Sequence, residues 1–206
     1  MEDVLDVYAL PYNPDVPVVC VDESCKQLVK AVRPALPARP GDIAKEDDEY
    51  IRQGVAEIFL AIEPHTGRIN VSAGESRNAR DWAEFIQNLL DVKYPSAQKV
   101  IFVMDNLNTH TTASLYKRFP PDVARNLAGR MEIHYTPKHG SWLDVAEIGL
   151  SVLKSQCLNC RVPDLKTLRK KIKAWVNDRN KNPKPVQWHF TSSDAREKLL
   201  SIYPKI

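Results

Sequence analysis

Three acidic residues lie where a folded chain could bring them together. Asp22 follows the β-branched run VVCV and Asp105 follows the apolar run KVIFVM, so each is predicted to close a buried strand. Glu147 lies in WLDVAEIGLSVLK, a segment that is apolar nearly all round and is predicted to be a buried helix. Ligands of parallel α/β sheets bind at the carboxyl ends of the strands. Two carboxylates there and a third from a packed helix would form an all-oxygen site, which suits Mg²⁺ or Mn²⁺.

Each acid also has a purely structural explanation. Asp22 can simply end a strand, Asp105 can start a turn, and Glu147 can face solvent. The joint placement of the three favours the site, because Glu147 belongs to a single narrow polar stripe on its helix. The stripe comprises Asp144, Glu147, Ser151 and Lys154.

The elements that must position these acids follow from hydrophobic spacing. The order strand, hairpin, helix, strand, helix, strand, helix predicts an α/β fold, a mixed five-stranded sheet with helices on both faces. Residues 30–54, rich in proline and acidic residues, are predicted to be an inserted loop. The predicted strands are 18–22, 55–62, 68–73, 99–105 and 131–135, and the predicted helices are 77–91, 111–118 and 142–154, with an irregular stretch after 118.

The end of the chain is predicted to be helical. Asp164 is expected to cap a helix whose apolar face includes Leu168 and Ile172, and Thr191 or Ser192 is expected to cap a last short helix over 191–201. We therefore divide the chain into a linker (1–17), a catalytic core (18–160) and a C-terminal helical extension of the same domain (161–206).

Charge is unevenly distributed along the chain. The net charge is only +3, but residues 154–185 carry ten Lys or Arg against two Asp, a local charge of +8. Such a segment suits a polyanion, although a solvated helix face explains it equally well. No apolar run approaches the length of a membrane span and the first residues lack a signal-peptide pattern, so we expect a cytoplasmic protein.

Four cysteines leave two alternatives open. Cys157 and Cys160 form a C-x-x-C pair, and with Cys20 and Cys25 they could ligate a structural zinc ion. However, Cys20 lies in an apolar run and the flanking residues lack the turns of zinc knuckles. Reduced thiols are the expected state.

Longer sequence blocks surround the three acids. Asp22 lies in CVDESCKQLV, Asp105 in VMDNLNTH, and Glu147 in YTPKHGSWLDVAEIGLSVL. These blocks closely resemble the three signature blocks of bacterial insertion-sequence transposases of the mariner superfamily. The resemblance covers nearly the whole chain and includes the proline-rich stretch and the closing WHFTSSDAREKLLSIYP.

The resemblance implies an RNase H-like fold and a DDE transposase, a metal-dependent endonuclease and DNA strand transferase. It carries the catalytic and metal-binding roles to Asp22, Asp105 and Glu147, with two Mg²⁺ or Mn²⁺ ions. Asn106, Asn108 and His110 would orient ligands or contact DNA, and the loop containing Lys138, His139 and Ser141 could meet a phosphate; a turn or capping role is as well supported for each. From its charge, we add the helix carrying Lys166, Arg169, Lys170 and Lys173 as a DNA-binding surface.

The partners implied are DNA, as transposon ends and a TA target, and a second copy of the protein on that DNA. In the superfamily an insertion after the first catalytic strand reaches the partner subunit, and residues 30–54 occupy that place. Neither a membrane nor a nucleotide cofactor is expected, and the bacterial nucleoid is the expected location.

Two departures from the family pattern are visible. The family usually has Asn where this chain has Asp144, and a further carboxylate beside the site could raise a pKa by like-charge repulsion. Family members also carry two N-terminal helix-turn-helix modules, whereas the first catalytic strand here begins near residue 18. The sequence is therefore expected to be an excised catalytic domain or the downstream frame of a split gene.

Two other functions remain as alternatives. A non-catalytic DNA-binding remnant could keep the fold, although three acids that repel DNA would serve no purpose in it. Another RNase H-like nuclease, such as a resolvase or a ribonuclease, could share the triad and is disfavoured only by the long sequence blocks.

Overall fold

Five strands form the sheet: β1 (Val18–Ala31), β2 (Tyr50–Glu63), β3 (Arg68–Gly74), β4 (Val100–Met104) and β5 (Met131–Tyr135). Their order is β3-β2-β1-β4-β5. The first three strands in the chain pair antiparallel, whereas β4 pairs parallel with both β1 and β5. The sheet is therefore mixed, as predicted. The computed structural model describes residues 1–45, 47–138 and 140–200.

Helices cover both faces of this sheet. They are α1 (Glu2–Tyr8), α2 (Ala79–Asn88), α3 (Thr112–Arg118), α4 (Pro121–Gly129), α5 (Val145–Gln156), α6 (Leu165–Arg179) and α7 (Ser192–Lys198). One core cluster joins α1, α5, α6 and α7 to the sheet, and a second joins α2, α3 and α4 to its opposite face. Both the α/β class and the C-terminal helices are confirmed.

Side-chain alternation along the central strands separates the two cores. On β1, Val18 and Cys20 belong to the cluster that contains α5, whereas Val19 and Val21 belong to the cluster that contains α2. All five residues of β4 are buried, which explains its continuous apolar run. A side chain placed on either strand is thus directed to one face by its position alone.

The predicted hairpin of β2 and β3 is present. Its turn contains Gly67, whose φ of +73° is rarely adopted by other residues. A Cβ at this position would also lie only 2.1 Å from the backbone oxygen of Lys184, so the C-terminal segment packs closely over the turn.

Polar caps fix where several helices begin. Asn78 and Asp81 form a reciprocal capping box at the start of α2. The predicted cap of α6 is confirmed, since Asp164 accepts a hydrogen bond from the Thr167 amide at 2.7 Å. Thr191 caps α7 with Asp194 as its reciprocal partner.

The strand around Asp22 is longer than predicted. β1 continues past Asp22 to Ala31, and β2 begins at Tyr50, so the connecting loop spans 32–49 rather than 30–54. The extension is formed by ladder hydrogen bonds between β1 and β2 beyond the main core. Its mixed polar side chains conceal the strand pattern, because most of them face solvent.

Two helices lie where none was predicted. Residues 2–8, assigned to the linker, form α1, whose Val4, Leu5 and Val7 are buried in the core. Part of the stretch predicted to be irregular forms α4, which starts at a proline and buries only Ala124 and Leu127. Both helices are short, so few apolar positions reveal their period. No helix in the described part of the chain is long and apolar enough to cross a membrane.

Candidate active site

Asp22 and Asp105 lie side by side at one edge of the paired region of the sheet. The parallel register of β1 and β4 ends at Val21 opposite Met104, and the two acids are the next residues on each chain. Neighbouring strands are about 4.8 Å apart, which brings the two backbones close. Asp22 was predicted to close its strand but instead lies inside β1, at the point where the pairing with β4 stops. Asp105 follows the end of β4, as predicted.

Both aspartates continue the row of side chains that faces α5. Asp22 follows Cys20 and Asp105 follows Val103 at the two-residue spacing of a strand, and both of these residues belong to the core that contains α5. α5 crosses β1 and β2 closely because Gly149 contacts Leu60, where a Cβ would lie 2.8 Å from a Leu60 methyl group. The helix is therefore packed directly against the strand that carries Asp22.

Glu147 lies in the first turn of α5 and its side chain is exposed. Its backbone amide is hydrogen-bonded to the Asp144 carbonyl at 3.1 Å. The predicted polar stripe is exposed at Glu147, Ser151 and Lys154, whereas Asp144 is buried. The helix is less enclosed than predicted, since Trp142 and Ile148 are 47% and 46% exposed.

The acids influence one another electrostatically. Burial raises the pKa of Asp22 to about 6; a hydrogen bond from the Glu23 amide opposes this, and the negative charges of Asp105 and Glu147 add to it. The charges of the other two acids thus exert repulsion on Asp22. A cation placed among them would relieve it.

A fourth carboxyl group, that of Asp144, adjoins the three acids. Asp144 is 4% exposed and caps α5 by accepting a hydrogen bond from the Ala146 amide at 2.8 Å. Burial raises its pKa well above the usual range, and the charges of Asp22, Asp105 and Glu147 act in the same direction. Asp144, singled out in the sequence, is thus a buried carboxyl group at the N-terminus of α5.

His110 is completely buried beside Asp105. Its Nδ1 lies 2.6 Å from one carboxylate oxygen of Asp105, and its Nε2 lies 2.8 Å from Glu23. Burial alone would lower the pKa of His110, but hydrogen bonds to the two acids outweigh it and raise the pKa to about 9. Of the two roles predicted for His110, its burial supports orienting a ligand rather than contacting DNA.

Sequence analysis missed Glu23, whose carboxylate is 4% exposed and faces His110. It follows Asp22 directly and so points to the opposite face of β1, toward α2. The only signal in the sequence was an acidic dipeptide at the end of an apolar run, which is also what a strand end would show.

The donor set of this site suits a hard divalent cation. Asp22, Asp105 and Glu147 offer carboxylate oxygens, which Mg²⁺ and Mn²⁺ prefer. Among the described residues, no three His, Cys, Asp or Glu side chains are grouped closely enough to form a ready-made metal site. The chemistry of the ligands nevertheless fits the ion.

The other predicted DNA contacts fall into two places. Asn106 and Asn108 are exposed in the loop that follows Asp105, and Lys138 is exposed in the loop before α5. His139 lies outside the described residues. Four of the six basic residues of α6 were predicted to bind DNA, and this helix packs against β3, at the edge of the sheet. They are Lys166, Arg169, Lys170 and Lys173, all exposed.

The cysteines are all free thiols. Cys20 is buried under Tyr8, and Cys25 and Cys160 are exposed. None of the described cysteines belongs to a metal-binding group, so zinc has no support within this part of the chain.

The sequence of this chain matches one family of known proteins. A family model described as DDE superfamily endonuclease matches residues 17–169, a range that contains all three acids. No curated protein sequence matches the chain at a significant level.

Solved structures share the fold. The mariner Mos1 paired end complex with Mg has a TM-score of 0.58 at 20% identity, covering 96% of this chain and 58% of the other. The Mos1 mariner paired end complex with Mn has a TM-score of 0.53 at 21% identity, covering 80% of this chain and 49% of the other. The catalytic domain of Mos1 mariner transposase has a TM-score of 0.51 at 17% identity, covering 79% and 71%. The predicted RNase H-like fold is confirmed, and the chain spans about half the length of the Mos1 chains in the paired end complexes.

Proposed function

The chain belongs to the DDE superfamily endonucleases, and on that premise we propose that it is the catalytic domain of a DNA transposase that cuts and joins DNA strands. The sequence blocks favour a mariner-like insertion-sequence element, and the fold shared with Mos1 transposase supports this. The proposed reaction is cut-and-paste transposition from transposon ends into a TA target, performed by a dimer on DNA.

One observation carries the proposal. Asp22 and Asp105 follow in register on adjacent parallel strands and share a face with α5, whose first turn carries Glu147. Three acids that are far apart in sequence thus lie on neighbouring elements of the fold. Three carboxylates at one position would weaken a surface that only binds DNA, because they repel phosphates.

Asp22, Asp105 and Glu147 would hold two divalent cations, Mg²⁺ or Mn²⁺. Such ions make a water or a DNA 3′-hydroxyl a better nucleophile and stabilise the charge on the departing oxygen. The protein positions the groups and performs no covalent chemistry of its own. The same site can therefore cut with water and then join with the freed 3′-hydroxyl, without ATP and without a protein–DNA bond.

The protonation of Asp22 decides whether its carboxylate can bind a cation. Asp22, with a pKa raised to about 6, is mostly ionised at neutral pH and available to a cation. Below that pH a proton competes for the same carboxylate. Asp105 stays oriented by His110, and the close packing of Gly149 against Leu60 keeps α5 beside β1.

The test is replacement of each acid in the full-length protein. Asp22→Ala, Asp105→Ala and Glu147→Ala should each lower cutting and joining of a transposon-end oligonucleotide by at least about 1000-fold with Mg²⁺, while DNA binding persists. Asp105→Asn should be nearly as damaging, because the amide keeps the shape and loses the charge. Cys160→Ser and Asp122→Ala, which change exposed residues outside the site, serve as controls and should keep parental rates.

The products of the cutting and joining assay distinguish the proposed transposase from the two alternative functions. Near-parental cutting by any of the three alanine variants would refute the proposal. Cutting without joining in the parental protein would indicate another RNase H-like nuclease, and binding without cutting would indicate a non-catalytic remnant.

A further inference from the structure

The imidazole of His110 connects the second acid of the triad to an acid outside it. Nδ1 lies 2.6 Å from Oδ1 of Asp105 and 3.2 Å from the Asp105 carbonyl oxygen. Nε2 lies 2.8 Å from Oε1 of Glu23. Since both ring nitrogens are engaged by acids, the ring has one orientation that satisfies both contacts.

The surroundings of His110 hold it in that orientation. The ring stacks on Trp82 of α2 with centroids 5.8 Å apart and planes 26° apart. Its backbone carbonyl accepts a hydrogen bond from the Tyr135 hydroxyl at 2.6 Å. An apolar side chain would fill this fully buried position at lower cost, because a buried polar ring must find partners. The partners it finds are two carboxylates.

Glu23 is itself anchored from the other side. Arg77 lies 4.0 Å from the second carboxylate oxygen of Glu23 and 3.6 Å from Glu57, a residue of β2. The Glu23 carboxylate is therefore hydrogen-bonded to a histidine on one side and lies near an exposed arginine on the other, and it is 4% exposed. A chain of contacts thus runs from the sheet through Glu23 and His110 to Asp105.

The contact leaves one side of Asp105 open. Oδ1 of Asp105 is buried and lies 2.6 Å from Nδ1 of His110 as an ion pair without hydrogen-bond geometry, whereas the side chain as a whole is 40% exposed. Oδ2 is therefore the oxygen available to a ligand. Without the contact, rotation about the Cβ–Cγ bond would exchange the two oxygens freely.

We propose that His110 and Glu23 form a positioning pair that fixes the Asp105 carboxylate so that a single oxygen, Oδ2, faces the cation site. The inference rests on the proposed function, because it assigns Asp105 as a ligand. His110 acts only through Asp105 and touches neither DNA nor the reacting atoms. Groups that orient metal ligands commonly change metal affinity or activity 10–100-fold when they are removed.

Three variants of the full chain test the pair. His110→Ala removes both contacts, His110→Asn keeps an N–H that can reach Asp105, and Glu23→Gln keeps the shape of the anchor and loses its charge. His134→Ala is the matched control, because His134 also bridges two carboxylates, those of Asp3 and Glu132, neither of which belongs to the triad.

The first readout is Mn²⁺ binding, measured by electron paramagnetic resonance without DNA. We expect Mn²⁺ affinity to fall about tenfold in His110→Ala and in Glu23→Gln, less in His110→Asn, and not at all in His134→Ala. The second readout is cutting of an end oligonucleotide in the full-length protein. There kcat, expressed per folded protein, should fall in the same order while KM for DNA stays at the parental value.

The outcomes separate this inference from the proposed function. Parental Mn²⁺ affinity and kcat in both Glu23→Gln and His110→Asn would overturn the positioning pair, even if His110→Ala failed to fold. An Asp105→Ala variant that binds Mn²⁺ as tightly as the parent would instead overturn the proposed site itself. Weak binding in Asp105→Ala together with parental binding in the other variants would leave the site intact and the pair refuted.

Discussion

Asp144 is a buried acidic residue at the start of α5. One of its carboxylate oxygens caps α5 through the Ala146 amide, and the other is buried with no hydrogen-bond partner in the described part of the chain. Burial and the neighbouring acids raise its pKa well above the ordinary value. A capping role alone would be served equally well by asparagine, which also accepts a hydrogen bond at this position.

Because its pKa is raised, replacing Asp144 is predicted to increase the free energy of unfolding by an amount that depends on pH. The folded protein retains a proton that the unfolded chain releases above about pH 4, so this residue lowers stability as pH rises through that value. Asp144→Asn should therefore raise the free energy of unfolding by about 1–3 kcal/mol at pH 7.5, in metal-free buffer, and change it little at pH 4. Urea unfolding at both pH values measures the difference.

Asp144→Ala is the comparison for that experiment. It removes the same charge but also the cap, which costs about 1 kcal/mol, so its gain at pH 7.5 should be smaller. A gain of equal size at both pH values would contradict the ionisation argument, and a loss at pH 7.5 in Asp144→Asn would contradict the burial argument.

Some residues of the candidate site could be predicted from the sequence and others could not. Asp22 and Asp105 were predicted because each ends or interrupts a strongly apolar run, which is a local signal. The link between Glu23 and His110 joins positions 87 residues apart and depends on the fold, so no spacing in the sequence reveals it. The burial of Asp144 was hidden for a related reason, since a helix period places it in the same stripe as the exposed Glu147.

At the scale of elements, α6 is the main basic surface of the described chain. The four of its basic residues that were predicted to bind DNA do not have equal roles, because Nε of Arg169 donates a hydrogen bond to the Ala73 carbonyl at 2.8 Å. Asn180, just beyond the helix, makes two further bonds to the backbone of Ile69. These contacts cover backbone groups of β3, an edge strand that would otherwise be open to pairing.

We therefore predict that three lysines of α6 contribute to DNA binding alone, whereas Arg169 also contributes to the stability of the fold. Replacing Lys166, Lys170 and Lys173 with glutamine should reduce the slope of log affinity against log salt by about 0.9 for each DNA phosphate that a lysine no longer neutralises, without changing stability. Adding Arg169→Gln should also lower the free energy of unfolding by about 1 kcal/mol. Salt titrations with non-specific duplex DNA and urea unfolding measure the two effects.

A charge-matched variant controls for the overall reduction of positive charge. It replaces three lysines on other elements, Lys99, Lys117 and Lys198, and should leave the slope nearly unchanged if α6 is the contact surface. Tight, salt-resistant binding to one terminal sequence would instead require an element that reads bases.

The elements were predicted where a core face repeats over many residues. β4 and the second half of β2 are almost continuously buried, and α6 adds the partly buried Leu165, Trp175 and Val176 to its two buried residues. The extension of β1 beyond Asp22 was missed because it has a partner strand but little core beneath it. α1 was missed because three buried side chains in seven residues do not distinguish a short helix from a linker.

At the scale of the whole molecule, the β1–β2 extension ends in the loop 32–49. The loop is held to itself by two isolated bridges, Leu36 with Lys45 and Arg39 with Asp42. Arg161 contacts the Asp47 carbonyl near its base. Several of its apolar side chains are exposed, including Leu36 at 59% and Ile43 at 80%. A second copy that contacts this loop, as the sequence predicts, would cover these apolar groups.

Removing this loop should therefore affect assembly and not the fold. Deleting residues 34–48 in the full-length protein and closing the gap with a short Gly-Ser turn should leave the thermal unfolding midpoint within a few degrees, because the loop adds nothing to either core cluster. Complexes that contain two DNA ends should be lost, while binding of one protein to one end persists, as resolved by native gels and light scattering.

Leu36→Ser with Ile43→Ser is the finer variant, since it keeps the length of the loop and removes only its exposed apolar groups. If the exposed side chains contact a second copy, this double variant should weaken paired-end assembly at least about tenfold, which corresponds to about 1.4 kcal/mol. Paired-end assembly at parental protein concentrations in both variants would show that the two copies meet through another surface.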